Sequence, residues 1–486
     1  MPASAPSKAH AFLSMLESPR FIPILLLLIF LLGVLVRSVP LQFAEFSDPD
    51  AFFHARMAQQ IIDTHALPLW DALSEQGRIY SYPPLLHLLI AATSIFSGLP
   101  VEIAYKWLGI IVGALFGVSV FLLARHWSKS NGIALASALF AVLCSISVLR
   151  TSGFLRPDGL ATTLIPFILL LWLQRRSVMA LLVSVVLVLL HPLSAVVLAA
   201  LLGSLFVASL IRKETASPLI PVALLGMLGV FVVWLQLQGL ALSNYASHVA
   251  LSASEFARFQ LLDFFLLFPL AWAFFFFAFT QWKKMPFPLL LWLVLTLAIG
   301  MLGTRMMVFA LPFYAIVAGY GFMRVLELIH RDEKAVAVFG VLFLLLGVIT
   351  IYAVMSTPAP NFLPGEKAAA QWLFAYAHPR EAVLSMWDVG HALAYYTHLP
   401  QVVDGYFEFA HELDARIDAM WAVHSTSSCE TFSQRMRQFN ATYVYIGQRE
   451  LESQFVKLGI LEQENCPHLR MPYASDHARV MEFIAG

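Results

Sequence analysis

For its first 355 residues the chain alternates long apolar runs with short polar connections, and after that its character changes. Apolar runs lie at 21–39, 101–124, 132–149, 159–174, 177–190, 193–211, 218–237, 261–280, 286–302, 306–323 and 335–355. Each approaches the roughly 20 residues that a helix needs to cross hydrocarbon, and together they predict about eleven transmembrane helices. A further run, 84–99, is apolar but short, opens on proline and is interrupted by His87 and Gly98. It reads as an interfacial segment rather than a span. From 356 onward charged residues and histidines return, with short β-like runs at 401–403 and 443–446. About 130 residues are enough for one independent α/β core.

Charge orients this pattern, because cytoplasmic loops carry Lys and Arg in excess. Arg125 with Lys129, Arg175-Arg176, Arg212-Lys213, Lys283-Lys284 and the stretch from Arg324 to Lys334 fall on alternate connections, all on one side. That side is read as cytoplasmic, together with the polar tail 1–20. The opposite connections are then 41–100, 150–158, 191–192, 238–260 and 303–305. The expectation is a multi-pass cell-membrane protein: a cytoplasmic tail 1–20, a transmembrane domain 21–355 with external loops, and an extracytoplasmic domain 356–486. The tail lacks a cleavable signal pattern, so 21–39 reads as a retained anchor.

Composition agrees: 59% of residues are hydrophobic and 12% charged, against about 25% charged in ordinary soluble domains. A net charge of zero gives no sign of a nucleic-acid partner. Three cysteines are too few for a disulfide-dense scaffold or a cysteine zinc site. Cys429 and Cys466 share the external domain, where a disulfide would persist, whereas Cys144 falls within a membrane helix.

Three external connections hold acidic residues that apolarity does not explain: Asp48 and Asp50 after the first span, Asp158 before a later one, and Glu255 in 238–260. Converging, such carboxylates would suit Mg²⁺ or Mn²⁺. Two of them about 4 Å apart repel by roughly 4 kcal/mol at an effective dielectric near 20, which favours a cation or a proton between them. Singly, each has a structural reading. Asp48 or Asp50 suits the cap of the helix that Ala51 begins, Asp158 suits the cap of the helix at 159, and Glu255 suits a solvated loop. His54 and Arg56 fit either the site or the wet face of a helix, and Trp387 fits a core or an acceptor site.

The short motifs resemble the catalytic subunit of archaeal oligosaccharyltransferase. Asp50-Ala51-Phe52-Phe53-His54-Ala55-Arg56 is similar to the Asp-Pro-Tyr-Tyr-His-x-Arg stretch of its first external loop. Arg150-Thr151-Ser152-Gly153-Phe154 resembles its second-loop signature, Ser252-Ala253-Ser254-Glu255 its Thr-Val-x-Glu element, and Thr304-Arg305-Met306 the arginine entering a late span. Met386-Trp387-Asp388-Val389-Gly390, followed by Val402-Val403-Asp404, resembles Trp-Trp-Asp-Tyr-Gly with its downstream Val-Asp. The chain departs from the pattern at Arg156, which replaces the first acid of a pair and leaves Asp158 alone. The soluble domain is also smaller, and eleven spans stand where the family has thirteen.

The resemblance implies a GT-C glycosyltransferase that moves a glycan from a polyprenyl (pyro)phosphate carrier to an asparagine of Asn-x-Ser/Thr. It implies Asp50, Asp158 and Glu255 as catalytic residues and as ligands of Mn²⁺ or Mg²⁺. Trp387 and Asp388 would bind the acceptor polypeptide, Arg305 would lie near lipid phosphate or acceptor, and His54 would assist. Arg156 would either pair with Asp158 or hold the donor's phosphate. The chain is read as a single-subunit enzyme, with membership of a complex left open. Two rivals stand beside this reading. One is a transferase using a lipid-phosphate monosaccharide and a non-peptide acceptor; the other is a transporter or scaffold for lipid-linked glycans. Transporters place ionisable residues near mid-membrane, whereas here the acids lie at span ends.

Overall fold

The structure, a computed structural model, describes residues 14–43, 45–80, 82–211, 213, 217–237, 269–301, 304–330, 332–355, 362–406, 410, 412–453 and 466–484. It divides into two compact units: Met1–Gln42 with Pro83–Leu86 and Glu102–Ala359, and Phe43–Tyr82 with His87–Val101 and Pro360–Gly486.

The first unit is helical. Every apolar run of the sequence falls on a helix at least in part, from Ile22–Arg37 to Glu333–Met355. Among the described residues, however, only Val101–Ser128, Pro192–Ile211 and Met306–Ile329 are long and apolar enough to cross a membrane. A fourth span counts if Asn131–Leu143 and Ser145–Thr151, bent by 56°, are one. Helix length alone therefore does not support the expected eleven. Apolarity runs on through the turns and caps that end helices, so it overstates their length. Ile22–Arg37, for example, has 16 residues and reaches only about 24 Å, short of a hydrocarbon core of about 30 Å.

The bend corrects one expectation, because Cys144 lies between the two helices with extended backbone rather than inside one. Arg37 ties the break together. Fully buried, it donates to Val142 O at 2.9 Å, Gly33 O at 3.2 Å, Ser147 Oγ at 2.9 Å and Thr151 Oγ1 at 2.7 Å. A helix end buried in apolar surroundings needs partners for its carbonyls, and here a guanidinium supplies them. Gly113 leaves the room, since a side chain there would collide with Arg37 and Thr151.

The second unit joins the C-terminal stretch to the first connection. Its sheet runs in the order β3 (Ala382–Leu384), β4 (Ala441–Ile446), β6 (Arg479–Phe483), β5 (Leu469–Ala474), after a short hairpin of β1 (Trp70–Asp71) and β2 (Arg78–Ile79). The β3–β4 pair is parallel and the rest antiparallel. Leu384, Val402, Val423, Phe432, Met436 and Val444 form the core beneath the helices Leu413–Ser425 and Cys429–Gln438. The hairpin loop is stitched to the domain by Glu75 N donating to Gln401 O and Gln401 N donating to Leu73 O, both at 2.8 Å. Cys429 and Cys466 form a disulfide with their Cα atoms 5.5 Å apart.

Candidate functional site

The expected site residues divide between the units. In the second, the helix Pro49–Thr64 begins at Asp48, whose carboxylate accepts from Asp50 N at 3.0 Å. Asp48 is thus the cap, with proline at the first helical position. The carboxylate of Asp50 is released from that task; half-buried, its Oδ1 lies 3.4 Å from where a Cβ on Gly405 would stand.

One turn on, His54 is buried and hydrogen-bonded through Nδ1 to His87 Nε2 at 2.8 Å. His87 Nδ1 meets the Tyr80 hydroxyl, and His54 Nε2 faces the Tyr406 hydroxyl at 3.4 Å. The four side chains form one hydrogen-bonded file, Tyr406–His54–His87–Tyr80. Each neutral imidazole offers one donor and one acceptor, so the tautomer of one histidine sets that of the other. His54 was an expected site residue; His87 and both tyrosines were not.

Beside the file lies a charged network that sequence reasoning missed. Arg56 and Arg78 both clasp Asp71, at 2.7 and 2.9 Å, and Arg78 also clasps Asp404 at 2.7 Å. Burial opposes ionisation of Asp71, but Arg56 and Arg78 outweigh it and hold the carboxyl well below the usual range. Asp404 behaves alike under Arg78 and His391. His391, fully buried, is pushed down to about 4 by desolvation, which the nearby Asp404 does not offset. The rings of Phe53 and Tyr406, 4.7 Å apart, pack against this cluster. Arg56 carried a sequence signal, as the end of the Asp50–Arg56 motif, and so did Asp404, as the Val-Asp element after Trp387; Asp71, Arg78 and His391 did not.

Trp387 and Asp388 open the helix Trp387–Thr397. They line a cavity of about 290 Å³ with Trp421, His424, Arg449 and Glu450. Asp388 Oδ2 pairs with Arg449 Nη1 at 3.3 Å. Burial, and then the carboxylate of Asp388, push Glu450 up to about 7.

In the first unit Asp158 sits in the first turn of Pro157–Leu173. Arg150 pairs with it, Nη1 lying 3.4 Å from Asp158 Oδ2. Arg156 precedes Pro157 and is extended, as a pre-proline residue prefers. Its guanidinium lies 5.8 Å from the Phe154 ring centroid. Arg305 falls in the short 3₁₀ segment Thr304–Ala310. Glu255 lies outside the described residues. Among the described residues no three His, Cys, Asp or Glu side chains gather as metal ligands.

No family model and no curated protein matches the chain by sequence. Solved structures match by shape. The oligosaccharyltransferase of Archaeoglobus fulgidus in its apo form superimposes with a TM-score of 0.72 at 14% identity, over 89% of this chain and 70% of that one. ArnT from Cupriavidus metallidurans bound to undecaprenyl phosphate gives 0.57 at 14% identity, over 96% and 98%. The mycobacterial arabinofuranosyltransferase AftD gives 0.53 at 15%, over 96% and 42%. The chain is a mostly helical membrane protein with the GT-C fold that these glycosyltransferases share.

Proposed function

We propose that this protein is a membrane glycosyltransferase that moves a sugar from a polyprenyl phosphate or pyrophosphate carrier to an acceptor on the external face of the cell membrane. The observation that carries the reading is Asp50: a carboxylate relieved of capping by Asp48, beside the His54–His87 file, in a fold solved repeatedly as glycosyltransferases. The Archaeoglobus enzyme has been captured with an inhibitory peptide and a dolichol-phosphate, and ArnT with undecaprenyl phosphate. A donor of that chemistry suits Arg156 and Arg305, because guanidinium groups match phosphate oxygens.

The leading acceptor is the asparagine amide of Asn-x-Ser/Thr, with Trp387 and Asp388 receiving the acceptor chain. An amide nitrogen is a poor nucleophile because its lone pair is delocalised, as its rotation barrier of ~18–20 kcal/mol reflects. A carboxylate accepting from its N–H groups would localise that pair, and Asp50 is the residue for this. The proton released on transfer would leave through His54. A divalent ion, Mn²⁺ or Mg²⁺, is the cofactor implied for Asp50, Asp158 and Glu255. Zinc and sulfate accompany one structure of the Archaeoglobus enzyme.

A second reading, transfer of a lipid-phosphate monosaccharide to a non-peptide acceptor, is favoured by one observation. The cavity at Trp387 is lined by the carboxylates of Asp388 and Glu450, which accept from any acceptor hydroxyl and do not require that of a sequon.

The test is transfer from a radiolabelled polyprenyl-linked sugar by the purified full chain in lipid nanodiscs, with an Asn-x-Thr peptide and a non-peptide acceptor offered in parallel. Label should reach one of them, and Asp50→Asn should slow transfer by about 100-fold or more, as loss of a key electrostatic group does. Movement of the lipid-linked sugar across the bilayer without transfer would establish the transporter instead.

A further inference from the structure

Carboxylates gather at the cavity beside Trp387. Asp388 and Glu450 line it, and Glu366 stands directly behind. A Cβ built on Gly447 would come within 2.5 Å of Glu366 Oε1 and 2.9 Å of Glu450 Oε2, so two carboxylate oxygens converge on one point. Glu366 is engaged by the backbone: its oxygens accept from Leu363 N at 2.7 Å and Gln448 N at 3.1 Å. Glu450 is satisfied on one side only: backbone N–H groups of Gly447 and of Glu450 itself favour its carboxylate. The residue is 7% exposed, and its Oε2 is buried without a hydrogen bond.

Arg449 is the one arginine lining this space among the described residues, and it pairs with Asp388 from a side chain that is 69% exposed. An exposed pair of this kind is typically worth under about 1 kcal/mol, so a competing cation can exchange with it. Trp387 and Trp421 put aromatic faces on the same cavity. Carboxylates with tryptophan faces are the surroundings that hold an organic ammonium, through charge and through the ring quadrupole. A metal ion fits less well, since no three ligating side chains gather among the described residues.

We propose that this cavity binds a primary ammonium group, carried by an amino sugar or by a lysine side chain, between Glu450, Asp388 and the two tryptophans. It deepens the reading of this site as the acceptor site and rests on it for biological sense, but binding can be measured without turnover.

The experiment is ligand-observed saturation-transfer NMR on the full chain in detergent micelles. Glucosamine is titrated against glucose, and Nα-acetyl-lysinamide against Nα-acetyl-norleucinamide. At least one amine should bind 10-fold or more tighter than its uncharged counterpart. Glu450→Gln and, separately, the half-exposed Asp388→Asn should each weaken that preference several-fold. Asp388→Asn keeps the test valid should Glu450→Gln fail to fold. Glucosamine alone binding would assign the ammonium to a sugar, and Nα-acetyl-lysinamide alone to a polypeptide. Equal binding of amine and neutral analogue, no amine binding, or full preference in both variants would overturn the proposal. Amine binding without any glycosyl transfer would sink the transferase reading and leave this one standing.

Discussion

Arg78 and Asp404, 326 positions apart in sequence, meet in a two-pronged ion pair: Nη1 to Oδ1 at 2.9 Å and Nη2 to Oδ2 at 2.7 Å. The same guanidinium donates to Asp71 from Nε at 3.2 Å and from Nη2 at 2.9 Å. Arg78→Met would leave two buried carboxylates sharing Arg56 and His391. Breaking a buried pair from one side costs about 3–5 kcal/mol, chiefly through the charge left behind. Thermal unfolding of the purified variant should show a large drop in midpoint, and adding Asp404→Asn should recover part of it. An unchanged midpoint for Arg78→Met would mean that water reaches this network.

That pair also marks where the sequence stops being legible. Spacing shows that Asp48-Pro49-Asp50 opens a helix, but not which aspartate caps it; the 3.0 Å bond from Asp50 N settles this for Asp48. The pairing of Cys429 with Cys466 was legible because only two cysteines lie in that domain. Asp71 and Arg78 sit in no motif, and their meaning comes from a carboxylate that a distant segment brings to them. Arg37 hides at the end of an apolar run, and its task depends on a helix break at Cys144 that apolarity does not reveal. Arg150 pairs with Asp158 from eight positions away, a contact that no motif or spacing singles out.

The Cys429–Cys466 bridge spans 37 positions. By its effect on the unfolded chain, a loop of that size is worth ~2–4 kcal/mol. Cys466→Ser should therefore lower the unfolding midpoint, as should dithiothreitol on the parent protein, while dithiothreitol should leave the variant unmoved. A parent midpoint insensitive to reduction would mean that the bridge contributes nothing.

Glu450 and His391 give the second unit opposing responses to pH. Glu450 rises from 4.5 to about 7, burial being the main cause. Between those values the native chain keeps a proton that the unfolded chain releases, so stability falls as pH rises through the window. His391 falls from 6.5 to about 4, again chiefly by burial. There the unfolded chain takes up the proton, so stability falls as pH drops through the window. Where the windows overlap the two slopes offset each other, and the parent should show a damped response. Glu450→Gln removes one slope. Its unfolding midpoint should exceed the parent's at pH 8, by up to roughly 3 kcal/mol in stability, and should fall more steeply towards acid. A variant less stable than the parent at pH 8 would show that the Glu450 carboxylate is satisfied.

The last test separates two arginines that lie six positions apart. Arg150 is 3.4 Å from Asp158, with side-chain exposures of 11% and 1%, whereas Arg156 rests by Phe154. If Arg150 balances a buried carboxylate, Arg150→Ala should destabilise the protein by about 3–5 kcal/mol, and Asp158→Asn in the same chain should restore much of the loss. Arg156, extended ahead of Pro157, is tested by Arg156→Ala. Its effect should appear instead in affinity for a polyprenyl-phosphate sugar, and Arg156→Asp should abolish that affinity by making an attraction repulsive. The charge reversal should not strengthen dependence on Mn²⁺, because the arginine that occupies Asp158 is still in place. Stronger Mn²⁺ dependence with donor affinity intact would return Arg156 to the role of a lost ligand. It would also mean that Asp158 leaves Arg150 when the ion arrives.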